Sequence, residues 1–273
     1  MRKRKIWLIL AILAFAAAGV CIFFVWKKEK DKEATVQMYE QMRQEARLEE
    51  MADETEAAVE GAETESPATE AETAADLVIP VDFKELEEVN PDIYAWITIP
   101  GTAIDYPVVQ NMEDSSFYLT RSAEREESVS GAIFSENLNK TDFSDVHTVL
   151  YGHNMKDGSM FADLHKYEDE EFFEDHQEIS VYTPDAIRSY RIFAAYVYDD
   201  RHLLQSFDCE EPDIFEAYIR SVKEQRSLYA HIDKDVKIEA GDHILTLSTC
   251  HSMGNEYRYL VQAVLEKTVK KQK

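Results

Sequence analysis

Residues 6–26 (IWLILAILAFAAAGVCIFFVW) form 21 uncharged and almost wholly apolar positions. At about 1.5 Å per residue such a run makes ~30 Å of helix, enough to cross a hydrocarbon core. Arg2, Lys3, Arg4 and Lys5 precede it, and the mixed KKEKDKE follows. The stronger unopposed positive cluster is therefore N-terminal, which predicts a cytoplasmic N-terminus and an extracellular remainder. A cleaved signal peptide, with AFAAAG as its small-residue site, is the competing reading; the apolar run exceeds the ~7–15 residues usual for such a segment. From residue 27 the pattern lapses. Residues 30–50 retain helix-forming composition, and 51–76 hold nine acids with no Lys, Arg or aromatic residue. That stretch buries too little apolar area to offset chain entropy and repels itself, which predicts an extended acidic tether.

Beyond residue 77 the pattern changes to short runs rich in β-branched and aromatic residues. Strands are predicted at 93–100, 103–110, 130–135, 146–152, 178–183, 187–199, 235–250 and 257–267, separated by turn signals such as Pro100-Gly101, Pro184-Asp185 and Ala240-Gly241-Asp242. About eight strands with few long helices argue for a closed or nearly closed barrel. One longer helix is predicted at 212–228, with Pro212 in its first turn, Asp213 at the positive end of its dipole, and Ile214, Ala217 or Tyr218, Ser221 or Val222, and Leu228 on its apolar face. Shorter helical pieces are predicted at 82–89 and 159–175. The expected organisation is a basic tail (1–5), a transmembrane signal-anchor helix (6–26), an acidic Glu/Ala/Thr-rich tether (27–76) and a mainly β catalytic domain (77–273).

Charge narrows the function. With 29 Lys+Arg against 54 Asp+Glu the chain carries −25, a poor basis for neutralising phosphates, so nucleic acid is not an expected partner. Three cysteines (Cys21, Cys209, Cys250) can build neither a disulfide framework nor a four-thiolate zinc site, and no dedicated metal or cofactor site is expected.

Three short strings carry chemistry: TLSTC (246–250), YGHNM (151–155) and EYRYLV (256–261). Cys250 ends an apolar strand where a side chain becomes accessible while its backbone stays rigid. His153 likewise follows an apolar strand, and Arg258 begins the strand expected to return beside Cys250. A thiolate attacks, an imidazole moves a proton, and a guanidinium holds a carbonyl or an oxyanion in a planar fork. Against this stands the common fate of a strand cysteine as a small buried hydrophobe. His251 adjoins Cys250 but points to the opposite face, whereas Ser248 shares the face of Cys250.

TLSTC followed eight residues later by Arg258, with YGHNM upstream, resembles the sortases, and more closely those of class B. PDIYAWITIPGTAIDYPVVQ (91–110), NMEDSSFYL (111–119), GHNMKDGSMFADLHKY (152–167) and the helix at 212–228 resemble the corresponding class B segments. The resemblance implies a closed eight-stranded sortase-type β-barrel with a few short helices and one longer helix between late strands. It implies a cysteine transpeptidase with Cys250 as nucleophile, His153 as general acid/base and Arg258 holding the scissile carbonyl or oxyanion. Asn111, Leu203, Leu204 and Ser248 fall where class B enzymes line the substrate groove. The implied partners are secreted proteins bearing a C-terminal sorting motif and an amine of cell-wall peptidoglycan, at the surface of a Gram-positive-type bacterium. A cysteine protease hydrolysing the same intermediate, or an inactive surface-binding barrel, are the alternatives.

Overall fold

A computed structural model describes residues 2–47, 77–227, 229–254 and 256–271. The chain opens with helix α1 (Arg2–Ala46) and, after residue 77, the short helix α2 (Phe83–Val89), whose first N–H groups are capped by the Asp82 carboxylate. Strands follow in the order β1 (Ile93–Thr98), β2 (Asp105–Val109), β3 (Ile133–Ser135), β4 (His147–Tyr151), β5 (Glu178–Thr183) and β6 (Ala186–Asp199). Helix α3 (Glu170–Asp175) precedes β5, while α4 (Leu203–Ser206) and α5 (Pro212–Lys223) follow β6. The short β7 (His231–Ile232) then leads to β8 (Ile244–Cys250) and β9 (Tyr257–Lys270).

Hydrogen bonding runs β5-β1-β2-β3-β4-β8-β9-β6, and a β5–β6 pairing closes the ring. The result is the expected eight-stranded barrel, with β7 added outside the ring on β6. Two neighbouring pairs, β2–β3 and β4–β8, are parallel; the rest are antiparallel. The interior is filled by inward-facing Ile97, Val108, Ile133, Leu150, Ile179, Leu247 and Val261.

A second core lies outside the β4–β8–β9–β6 wall, beneath α5. Phe215, Tyr218, Ile219 and Val222 pack there with Phe193, Tyr196, Ile244 and Leu260. Tyr218 and Val222 are buried as expected, whereas Ile214 is exposed, because the i, i+3, i+4, i+7 set beginning at Phe215 forms the continuous apolar stripe. Leu228, expected on the same face, lies outside the described residues. Sandwiched between the two cores, β8 is buried at six consecutive positions before Cys250, which explains its unbroken apolar sequence. Strand structure begins only at Ile244, not at 235: the Gly241 backbone, at φ +100°, turns the chain first. Residues 111–119 yield a single 3-10 turn at Phe117–Leu119, because the side chains of Asn111 and Asp114 cap local turns instead.

The N-terminal helix departs most from the sequence reading. Residues 27–46, grouped there with the tether, are helix and dock on the barrel. Tyr39, Met42 and Ala46 are buried, and the Tyr39 hydroxyl donates to Gly131 O (3.0 Å) and accepts from the Ala123 N–H (3.1 Å). Tyr39 meets the edge of Tyr106, Thr35 bonds Ser128 (3.1 Å) and Arg47 pairs with Asp105 (2.6 Å). The helical composition of 30–50 is thus borne out as far as Ala46, and what composition alone does not reveal is the packing on the barrel that rewards it. The acidic run 48–76 lies outside the described residues. The expected transmembrane segment 6–26 falls in the first half of α1. Among the described residues no helix is long and apolar enough to cross a membrane, so the transmembrane expectation finds no support in the structure and rests on the sequence.

The second core holds a buried polar chain. His147 Nε2 lies 2.8 Å from Thr246 Oγ1, and Gln262 donates to Thr246 (2.8 Å) and to Tyr218 (2.5 Å). Burial pushes His147 down to about 3 and the neighbouring Cys209 thiol up to about 12. The unfolded chain therefore binds a proton near the ordinary histidine value of 6.5 that the folded chain refuses. Stability should be full above that pH and fall as pH drops from it toward 3, by up to about 1.4 kcal/mol per pH unit. Chemical denaturation at pH 7 and pH 5 should show a smaller acid loss for His147→Gln than for wild type; parallel losses would remove His147 from the account. Tyr39→Phe strands a buried carbonyl and a buried N–H, and should cost about 1–3 kcal/mol in the same measurement.

Candidate active site

The position of each functional side chain follows from strand register. In the parallel β4–β8 pair Tyr151 lies opposite Ser248, and the Gly152 N–H donates to Ser248 O (3.2 Å). Two residues further along each chain stand His153 and Cys250, so both emerge at the same end of the barrel. On the other side of β8, Cys250 is paired directly with Arg258 of β9. Residues directly opposed across an antiparallel pair share a face, which puts the thiol and guanidinium side by side.

All three line one open groove of about 320 Å³, together with Ser248, Leu203 and Leu260. Cys250 is exposed although every preceding position of its strand is buried. The groove contains further residues that the sequence reading did not single out. Phe134 and Tyr151 form a stacked aromatic floor (5.6 Å), with Tyr198 from β6 beside them. Glu136 pairs with His202 at 2.6 Å on the rim, where His202 also caps α4. Asp199 and Asp200 also line the rim, with Asp199 paired to Arg201 (2.8 Å). These residues come from strands and loops far apart in sequence, so no short string marks them.

His153 is held on both sides. Its Nε2 lies 2.7 Å from Leu119 O. A carbonyl accepts, so this nitrogen carries the proton and Nδ1 is the basic nitrogen of the neutral ring. Leu119 reaches this place because the turn Phe117–Leu119 is packed against Gly131. Gly131 sits at φ +59°, and a Cβ there would come within 2.8–2.9 Å of Tyr118 O and Leu119 O and 3.1 Å of the His153 ring. The glycine is therefore part of how the imidazole is placed. Arg258 donates to Tyr257 O (3.1 Å), and its charge opposes the upward push that burial gives the Tyr151 phenol.

Of the four expected groove residues, the structure brings Ser248 and Leu203 to the groove. Asn111 and Leu204 are not among its lining residues. The Asn111 side chain accepts from the Glu113 and Asp114 N–H groups (3.0 and 2.9 Å), which commits it to a turn. Leu204 follows Leu203 on α4 and packs against the second core, because consecutive helical side chains diverge by about 100°. His251 is buried on the far face from Cys250, as strand alternation requires. There it joins His165 and Glu168, the one group among the described residues whose ligand atoms lie close enough to hold a metal ion, within 4.8 Å of one another.

A barrel presenting a thiol, an imidazole and a guanidinium in one open groove has the equipment of a cysteine enzyme that transfers acyl groups. A family model described as the Sortase domain matches residues 97–266. Sortase B of Listeria monocytogenes is 38% identical over 171 residues, covering 62% of this chain and 67% of that protein. Sortase B of Staphylococcus aureus is 31% identical over 174 residues, covering 64% and 69%. Among solved structures, sortase B from Bacillus anthracis superposes with a TM-score of 0.60 at 34% identity, covering 68% of this chain and 84% of that one. A Staphylococcus aureus sortase B–substrate complex gives 0.60 at 31% identity, covering 68% and 84%. The chain belongs to the sortase family of cysteine transpeptidases, and its relatives are class B.

Gly131→Ala tests the placement of His153. The added methyl must push the 118–119 carbonyls or the imidazole, and peptide turnover should fall at least about 10-fold, since displacements near 1 Å cost on the order of 100-fold. Turnover equal to wild type would show that the ring does not depend on this contact.

Proposed function

We propose that this protein is a membrane-anchored transpeptidase that cuts a sorting motif near the C-terminus of secreted proteins and joins the new carboxyl end to an amine of cell-wall peptidoglycan. The observation that carries this reading is the direct cross-strand pairing of Cys250 with Arg258 in the groove that also holds His153. Anchoring by residues 6–26, with the N-terminus cytoplasmic and the catalytic domain outside, is supported by the length and charge flanks of that apolar run.

In the proposed reaction the Cys250 thiolate adds to the scissile carbonyl carbon. The carbonyl oxygen becomes an oxyanion, which the Arg258 guanidinium stabilises by charge and hydrogen bonding. Collapse re-forms the carbonyl and breaks the C–N bond, and His153 gives its proton to the departing amine. This leaves a thioester on Cys250 and a neutral imidazole. The acceptor amine then attacks the thioester, His153 takes the amine proton, and the sulfur leaves as thiolate. Protons balance over the cycle, and no external oxidant, metal or cofactor is consumed. The open groove with its aromatic floor suits an extended peptide.

The test is mass spectrometry of the full chain incubated with a pooled library of short peptides. A peptide adduct on Cys250 is expected, and an amine acceptor should discharge it into a transfer product. Cys250→Ala should abolish both. Adduct discharge at the same rate without amine would make the protein a hydrolase, and unchanged processing by Cys250→Ala would leave only a binding barrel. Arg258→Lys keeps the charge but loses the fork, and should lower turnover by about 100-fold or more.

A further inference from the structure

Behind the groove, on the face of β8 away from the thiol, a line of polar side chains joins the two catalytic segments. Asn154, the residue after His153, places Nδ2 3.1 Å from Cys250 O and 2.9 Å from His165 Nε2. His165 Nδ1 lies 2.5 Å from Glu168 Oε1, and His251 Nε2 lies 3.4 Å from that same oxygen. His251 Nδ1 in turn accepts from the Met253 N–H at 3.2 Å. The His165 and His251 rings lie 5.4 Å apart, and Tyr259 stacks on His165 at 5.1 Å.

The donors and acceptors have one consistent direction. The Met253 amide can only donate, so His251 Nδ1 is the acceptor and Nε2 carries the proton toward Glu168. The Glu168 carboxylate accepts from His165, which puts the His165 proton on Nδ1, while His251 Nε2 faces the same oxygen at 3.4 Å without completing a hydrogen bond. His165 Nε2 is then an acceptor, as is Cys250 O 3.1 Å away. The Asn154 amide group supplies hydrogen to both, and without it two lone pairs would face each other.

The same three titratable residues have the composition of a zinc site, but the geometry runs against it. Two ligands at about 2.0 Å on a tetrahedral ion stand about 3.3 Å apart, whereas His165 and Glu168 approach to 2.5 Å. The protonated His251 nitrogen also faces inward, where a metal needs a lone pair.

We propose that Asn154, His165, Glu168 and His251 form a positioning chain that locks the backbone of Cys250 against the His153 loop, so that thiol and imidazole are held in reacting register. The proposal rests on the transpeptidase reading of the groove. The His153 loop is also held by Gly152 N–H to Ser248 O (3.2 Å), His153 to Leu119 O (2.7 Å), Met160 N–H to the Tyr106 hydroxyl (3.1 Å), and internally by Phe161 N–H to His153 O (3.0 Å) and an Asn154–Met160 bridge. Asn154 is the member that crosses from this loop to the nucleophile's carbonyl. None of the four touches the reacting atoms; they act through Cys250 and His153.

Isosteric Asn154→Asp replaces the shared donor with a carboxylate aimed at two acceptors. In the full chain, using the library peptide that wild type turns over fastest, kcat should fall about 10- to 100-fold with KM within about threefold. Glu168→Gln keeps an acceptor for His165 and should retain most turnover, while Glu168→Ala should lose as much as Asn154→Asp. A loss from mere unfolding would not separate those two Glu168 variants. Independently of any variant's folding, nitrogen chemical shifts of labelled histidines in the wild-type chain should show His165 neutral with its proton on Nδ1 and His251 with its proton on Nε2. Wild-type kcat in Asn154→Asp, equal losses in the two Glu168 variants, His165 as imidazolium or the opposite tautomer, or stoichiometric zinc binding that shifts these resonances would each overturn the proposal. Cys250→Ala run in parallel separates the two levels. If it still processes peptide the transpeptidase reading fails, whereas if it is dead and Asn154→Asp is unimpaired only the positioning chain fails.

Discussion

The parallel pairing of β4 with β8, in the register that sets Tyr151 against Ser248, is the constraint on which the site depends. A strand's side chains alternate, so a slip of one residue would turn Cys250, Ser248 and Thr246 into the barrel interior and bring the apolar Leu245 and Leu247 out of it. That register is held from both faces. Leu245 and Leu247 belong to the barrel interior, while Ile244 packs beneath α5 and Thr246 joins the His147–Gln262 chain. A slip would bury polar groups without partners on both sides at once. Cys250, the proposed nucleophile, therefore stands at the exposed end of a strand buried at every earlier position.

Around that strand the barrel separates two tasks. The groove face carries the thiol, guanidinium, imidazole and an aromatic floor, open to solvent and to a peptide. The opposite face carries imidazoles, a carboxylate and an amide that meet the backbone of the same residue. Cys250 and His251 are neighbours in sequence, yet the first lines the groove and the second is buried on the opposite face beside Glu168. Docking of α1 extends the same logic to the other side of the His153 site. Tyr39 bonds Gly131, and Gly131 packs against the imidazole and against the turn that supplies Leu119 O. A continuous set of contacts thus runs from the N-terminal helix to the ring of His153.

Local pattern was enough for much of this. The eight ring strands, the α5 segment, the face shared by Ser248 and Cys250, and the antiparallel return of Arg258 all follow from periodicity, β-branched content and short connections. These depend on residues near one another in the chain, where alternation and turn chemistry act directly. Family likeness in TLSTC, YGHNM and EYRYLV then identified the enzyme class before any geometry.

What the chain's own pattern left open were matters decided at a distance. Asn111 and Leu204 could not be assigned to turn and core from sequence, because a cap or a neighbouring helix claims a side chain only once loops have closed. The helical composition of residues 30–50 was legible, but not that the helix docks, since its apolar stripe has meaning only against the barrel surface that buries Tyr39. Asn154, His165 and Glu168 carry no common motif, and their convergence on Cys250 O comes from closure of the barrel. Sequence by itself determined which segments become strands and which side chains share a face, because those are properties of a short stretch of backbone. Only the tertiary structure decided which faces meet, because that is settled by burial and hydrogen-bond satisfaction summed over the whole fold.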